Sequence, residues 1–164
     1  VGLDTGPMLR QRAIPIGAEA TGGSLFEKLS NLGGELLLET LPDYLSGKLT
    51  PVPQPEAGVT YFGMIKKEDG LLDFTCSAVE LERRIRAFSP WPGTFLPWNN
   101  GPLKIRKAHV EHGNGETGKH VIFEGLPAVA TAEGLIVFDE LQPAGKKSMP
   151  GKAFLAGERE WENN

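Results

Sequence analysis

Near the start of the chain, GLDTGPML sets a carboxylate, Asp4, in an Asp-Thr-Gly turn. Two chemistries fit. In one, two such carboxylates from paired subunits share a single proton; in the other, one carboxylate assists proton transfers among groups supplied elsewhere. A structural role also fits, because Asp and Gly are common turn residues and Asp4 could cap the turn. Pro7 removes a backbone donor and directs the chain into the run Met8 to Ile16, which suits a turn feeding a strand better than a symmetric dimer loop. His109, Glu111, His112 and His120 are possible metal donors. On a strand, however, His109 and Glu111 share a face while His112 turns away, so no metal site is expected. GNGETG, residues 113–118, matches a dinucleotide-binding expression, but the strand-like KHVIFEG follows instead of the helix that would meet a pyrophosphate. A hairpin loop is expected there. Cys76, between Thr75 and Ser77, has no adjacent charge to activate a thiolate and reads as a packing residue.

Cations form the other chemical resource. Residues 1–59 carry 4 basic and 7 acidic side chains, and residues 60–164 carry 13 and 14. The later cations come in clusters: Lys66–Lys67, Arg83–Arg84–Arg86, Lys104–Arg106–Lys107 and Lys146–Lys147–Lys152. Each alone is an ordinary solvated surface; convergence of several on one face would make a polyanion site. With 164 residues and 40% hydrophobic content, the chain can fold one ordinary domain or two small ones. No apolar run approaches the ~18 residues of a membrane span. That, together with the single cysteine, leads to the expectation of a soluble protein of a reducing compartment. A start at Val-Gly-Leu-Asp without Met is expected of a piece of a longer protein.

The elements that must hold these groups follow from pattern. Residues 8–16 are expected as a strand. Ser24 and Glu27 form a capping box ahead of Leu25, Leu29 and Leu32; Gly33–Gly34 is expected to end that helix, and Leu37, Leu38, Leu41 and Leu45 mark a second one. Pro51, Pro53 and Pro55 then forbid helix and predict a stiff extended linker. Ser77 and Glu80 make another capping box, with Leu81, Ile85 and Phe88 on one face and Pro90 and Pro92 as the stop. Five short strand-like runs follow, at 94–98, 102–110, 119–124, 127–132 and 134–141. Five strands with one helix predict a small barrel, with Trp91 and Trp98 in its core or mouth.

In order and spacing, GLDTGPML, PQPEAGVTY, IKKEDGLLDF, ELERRIRAFSPWPGTF and LQPAGKKSMPGKAFLAG resemble the methionyl-tRNA formyltransferase family over nearly the whole chain. The Asp-Thr-Gly-Pro segment is shared with other enzymes that use 10-formyltetrahydrofolate, whereas RAFSPWPG and LQPAGKK are more specific. The resemblance implies an α/β remnant, the closing part of a Rossmann-like catalytic domain, at residues 1–48. A proline-rich linker would follow at 49–60 and a mostly β, OB-like tRNA-binding domain at 61–164. It makes Asp4 the carboxylate of a catalytic Asn, His and Asp group whose other members lie upstream, so this piece alone is expected to be inactive. The formyl donor would be 10-formyltetrahydrofolate, the acceptor methionyl initiator tRNA, and the setting cytoplasmic or organellar, without a membrane and with a monomeric intact enzyme. Lys67, Arg83, Arg86, Lys104, Arg106, Lys146 and Lys147 are the candidate tRNA contacts, while Met64 stands where the family often has Lys. Two alternatives are another formyltetrahydrofolate-using transferase or hydrolase of the same plan, and a freestanding RNA-binding module.

Overall fold

The computed structural model describes residues 4–99, 101–158 and 160–163. It divides into two compact units, one holding the residues up to Ala18 and Ser24–Met64, the other Glu19–Gly23 and everything from Ile65 onward.

The first unit is dominated by one helix, α1 (Gly22–Leu45), whose first two residues belong to the second unit. It runs unbroken through Gly33 and Gly34, where a break was expected, and ends one turn after Pro42. Two glycines cost a helix only about 1 kcal/mol each, and once nucleated the leucine-rich flanks propagate through them. Ser24 therefore lies inside the first turn and is not its cap. The expected strand at 8–16 is also absent. Met8 pairs with Val52 across two backbone hydrogen bonds of 2.7 and 2.8 Å, and no further ladder forms among the described residues. Ion pairs attach the rest of this segment to α1 instead, Arg10 to Asp43 at 3.0 Å and Arg12 to Glu39 at 2.6 Å. The helix keeps an apolar surface exposed, with Phe26, Leu38 and Leu45 each at least 75% accessible.

The second unit holds the core. Helix α2 (Ala78–Ala87) starts where its sequence predicts. The Ser77 hydroxyl accepts from the Glu80 amide, and the Glu80 carboxylate accepts from the Ser77 amide at 2.9 Å. Those bonds from Ser77 hold the Glu80 carboxyl below its ordinary range. Ala78, Leu81 and Ile85 are buried against the sheet. A Cβ at Gly22 would sit 2.2 Å from the Ala87 carbonyl oxygen, so only glycine allows the start of α1 to approach the end of α2 this closely.

The sheet contains β1 (Thr94–Leu96), β2 (Leu103–Glu111), β3 (His120–Phe123), β4 (Leu126–Ala130), β5 (Leu135–Gln142) and β6 (Met149–Pro150). All pairs are antiparallel, in the order β1-β2-β5-β4-β3, with β6 also on β5. The five predicted runs are therefore strands, but the sheet is not closed: among the described residues β1 and β3 end the order and do not pair. GNGETG lies in the loop between β2 and β3, but the expected hairpin does not form there: among the described residues β2 pairs with β1 and β5 and β3 pairs with β4, so the loop carries the chain past two other strands of the sheet.

A short helix, α3 (Gly151–Gly157), and a final turn at Trp161–Asn163 complete the core. The Trp161 ring is 1% exposed; its indole N–H donates to the Val121 carbonyl at 2.8 Å, and its face stacks on His120 with centroids 4.1 Å apart. Trp98 completes a three-ring cluster, 5.7 Å from the imidazole and 5.0 Å from Trp161 between centroids, whereas Trp91 is 58% exposed.

Two outcomes follow. Gly33→Ala and Gly34→Ala, where an added Cβ meets nothing within 4 Å, should each raise the thermal midpoint of the 222 nm signal, by about 0.5–1 kcal/mol of stability. Burial holds the His120 imidazole below its ordinary pKa, against a weaker opposing hydrogen bond to the Trp161 backbone. Because the unfolded chain protonates near 6.5 and the folded chain only lower, stability should fall as pH drops below about 6.5. Urea midpoints at pH 7.5 and 5.5 should show a larger loss in the parent protein than in His120→Gln.

Candidate functional site: the Asp4 hollow and the basic edge

Asp4 lies in the first unit on an exposed turn with φ of 57°, a left-handed conformation that Asp tolerates better than most residues. The segment is fixed from the proline-rich stretch: the Gln54 side-chain amide donates to the carbonyls of Asp4 and Gly6, both at 2.8 Å. The residues read as a linker thus bond back onto the Asp-Thr-Gly turn. Beside the turn is a hollow of about 490 Å³, lined by Asp4, Thr5, Gln54, Val59, Tyr61 and Phe62 among others. Two carboxylates, Asp4 and Glu56, line the hollow beside two exposed aromatic rings and can accept or relay a proton, but among the described residues its lining provides no imidazole or cation to partner them.

The candidate cations are all in the second unit. Lys67 is exposed on the short turn Lys67–Gly70, and Arg83 is exposed on α2. Arg86 is half-buried. Its guanidinium donates to Glu82 and, at 2.8 Å, to the Ala20 carbonyl; the Glu82 bond, opposed by burial, raises its pKa. This arginine therefore straps residues 19–23 to α2 with its charge matched by a carboxylate. It also lines a cleft of about 310 Å³ in which Glu19, Glu82 and Glu140 stand beside Arg106 and Lys107, so the interior of this cleft is not the phosphate-facing surface.

The other four cations converge. Lys104 and Arg106 lie on β2; Lys146 and Lys147 lie on the exposed loop between β5 and β6. Lys104 is opposite Gln142 in register, Arg106 Nη2 donates to the Gln142 Oε1 at 2.5 Å, and Gln142 Nε2 donates to the Lys146 carbonyl at 2.9 Å. The loop itself is a tight turn, with the Lys146 amide bonded to the Pro143 carbonyl at 3.1 Å and Gly145 at φ of 71°. Its PAGK sequence encodes that turn, so the backbone that carries Lys146 is fixed.

Gln142 and Gln54 were not candidates, because uncharged amides give no signal in a search for charge; only the turn residues beside them mark the places. His109 does sit with carboxylates, its Nδ1 at 2.8 Å from Asp139 and its Nε2 at 3.8 Å from Glu111. His120 is buried elsewhere in the aromatic stack, and the described residues include no group of three or more His, Cys, Asp or Glu able to hold a metal.

The model of the formyl transferase C-terminal domain matches residues 64–159. This chain belongs to that family. A protein named methionyl-tRNA formyltransferase from Myxococcus xanthus is 48% identical over 160 residues. That alignment takes in 96% of this chain and 51% of the relative. A second, from Roseiflexus castenholzii, is 41% identical over 96% of the chain. The chain spans about half the length of these curated relatives. Among solved structures, an N-formyltransferase from Helicobacter canadensis, in complex with folinic acid and dTDP-3-aminofucose, has a TM-score of 0.64 at 20% identity. It is matched over 84% of this chain and 51% of its own. HypX from Aquifex aeolicus, in complex with tetrahydrofolic acid, has a TM-score of 0.62 at 18% identity over 93% of this chain and 28% of its own. Both likenesses concern the fold.

Proposed function

We propose that this chain is the C-terminal half of a methionyl-tRNA formyltransferase, with Asp4 in the catalytic group and the basic edge docked on the acceptor tRNA. The observation that carries the reading is the 48% identity across 96% of the chain to a protein of that name. In this reading residues 1–48 close a catalytic domain and 49–60 connect it to an OB-like module at 61–164 whose sheet stops short of closure. The donor 10-formyltetrahydrofolate would supply the formyl group, bound by parts of the enzyme outside the described residues.

Asp4 has a defined task in that chemistry. The methionyl α-amine must lose a proton as it attacks, and the departing folate nitrogen must gain one. A fixed carboxylate, held by Gln54 through its own backbone, can orient the group that carries that proton. Lys67, Arg83, Lys104, Arg106, Lys146 and Lys147 would meet phosphates, which supply affinity and salt dependence with little base reading. Arg86, already matched by Glu82, would add least.

Asp4→Asn keeps the size and the left-handed tolerance of the residue, so in the complete enzyme it should fold normally and lower kcat by about 10²- to 10⁴-fold. Near-normal turnover would remove Asp4 from the catalytic group. Binding of initiator tRNA by this chain should weaken steeply between 50 and 200 mM salt, roughly one unit of log–log slope per phosphate contact. Indifference to tRNA at low salt, with formyl transfer to a small amine, would move the assignment to a formyltetrahydrofolate enzyme with a different acceptor.

A further inference from the structure

We propose that Arg106 is the principal phosphate contact of the basic edge, and that Gln142 is the positioning residue that aims it while leaving its charge unspent. The inference deepens the tRNA reading above and rests on it. Its foundation is a break in the longest ladder of the sheet. The register of β2 on β5 runs Lys104–Gln142, Ile105–Leu141, then Lys107–Glu140 and Ala108–Phe138. It steps over Arg106 on one strand and over Asp139 on the other.

Bulges of this kind re-aim side chains. Without the step, strand alternation would bring an arginine at 106 alongside the carboxylates of β5. With it, Glu140 faces Lys107 and accepts from the Ser148 hydroxyl at 2.6 Å, and Asp139 is taken by His109 at 2.8 Å. Arg106 instead meets a neutral amide, and although Glu19, Glu82 and Glu140 line the cleft beside it, it forms no ion pair with any of them among the described residues. An amide oxygen can hold a guanidinium in one direction as a carboxylate does, but it cancels no charge, so a full positive charge remains for an incoming anion. The contrast within the same unit is Arg86, which Glu82 neutralises and the Ala20 carbonyl fixes as a strap.

Gln142 is also bivalent. Its oxygen takes Arg106 and its NH₂ group holds the Lys146 carbonyl, so one side chain sets the distance between the guanidinium and the Lys146–Lys147 loop. A preset guanidinium can meet a phosphate without first losing side-chain freedom, which is where a flexible lysine surface loses affinity.

The decisive variant is Gln142→Glu in the full chain, which keeps size and acceptor but places a carboxylate on Arg106. Binding of an initiator tRNA transcript should weaken by at least ~5-fold, and the slope of log K against log salt should fall by about 1, while the thermal midpoint holds or rises. Arg106→Gln should produce a similar loss, and adding Gln142→Glu to it should cost less than in the parent, the part acting through the arginine having gone and only the lost bond to the Lys146 carbonyl and the added charge remaining. Unchanged affinity and slope in a folded Gln142→Glu protein, or fully additive losses in the double variant, would overturn the inference while leaving tRNA binding intact. If the parent chain itself shows no salt-dependent binding, the tRNA reading falls and this inference with it.

Discussion

The pairing of β2 with β5 is the constraint on which the second unit depends. These are the two longest strands, and their ladder brings Leu103 and Ile105 over Leu141 and sets Ile136 and Phe138 into the core under α2. Every neighbouring element attaches to it: β1 on the outer side of β2, β4 and β6 along the free side of β5. Because the ladder buries one face, its register cannot slide by a residue without moving the whole apolar set into water. The break at Arg106 and Asp139 is tolerated because it falls where both side chains find partners on the exposed side.

The same ladder links stability to surface chemistry. Inward residues such as Ile105 and Leu141 are below 3% exposed, while the alternating outward positions carry Lys104 and Gln142. Burial of the first set, at roughly 25 cal/mol per Å² of apolar area, holds the second set in place. Charge at this edge is arranged on a rigid support, with Asp139 held by His109 and Glu140 accepting from the Ser148 hydroxyl. At the other end of the core, Trp161 and the uncharged His120 imidazole close the sheet's interior with stacked rings.

The first unit follows a different logic. It has one long helix, little buried apolar surface among its described residues, and an irregular segment attached by ion pairs and by Gln54. Exposed ion pairs of this sort contribute little each, so the position of the Asp4 turn depends more on the two Gln54 bonds and the Met8–Val52 pairing. The carboxylate with the most direct chemical promise is thus placed by a neutral amide, as the arginine of the basic edge is.

Local chemistry was legible in the sequence wherever a signal is local. The Ser77–Glu80 box predicts the start of α2 and period-two apolar runs predict the strands, because capping and alternation need only neighbouring residues, whereas GNGETG marks a loop without saying that the strand after it pairs with β4 and not with β2. Where the outcome depends on a partner distant in the chain, the sequence alone could not decide. Gly33–Gly34 can end a helix or lie inside one, and residues 8–16 become a strand only if another strand pairs with them. Five strands make a barrel only if the first meets the last. Which arginine keeps its charge was equally hidden: Arg86 and Arg106 look alike in sequence, and only the fold gives one a carboxylate and the other an amide.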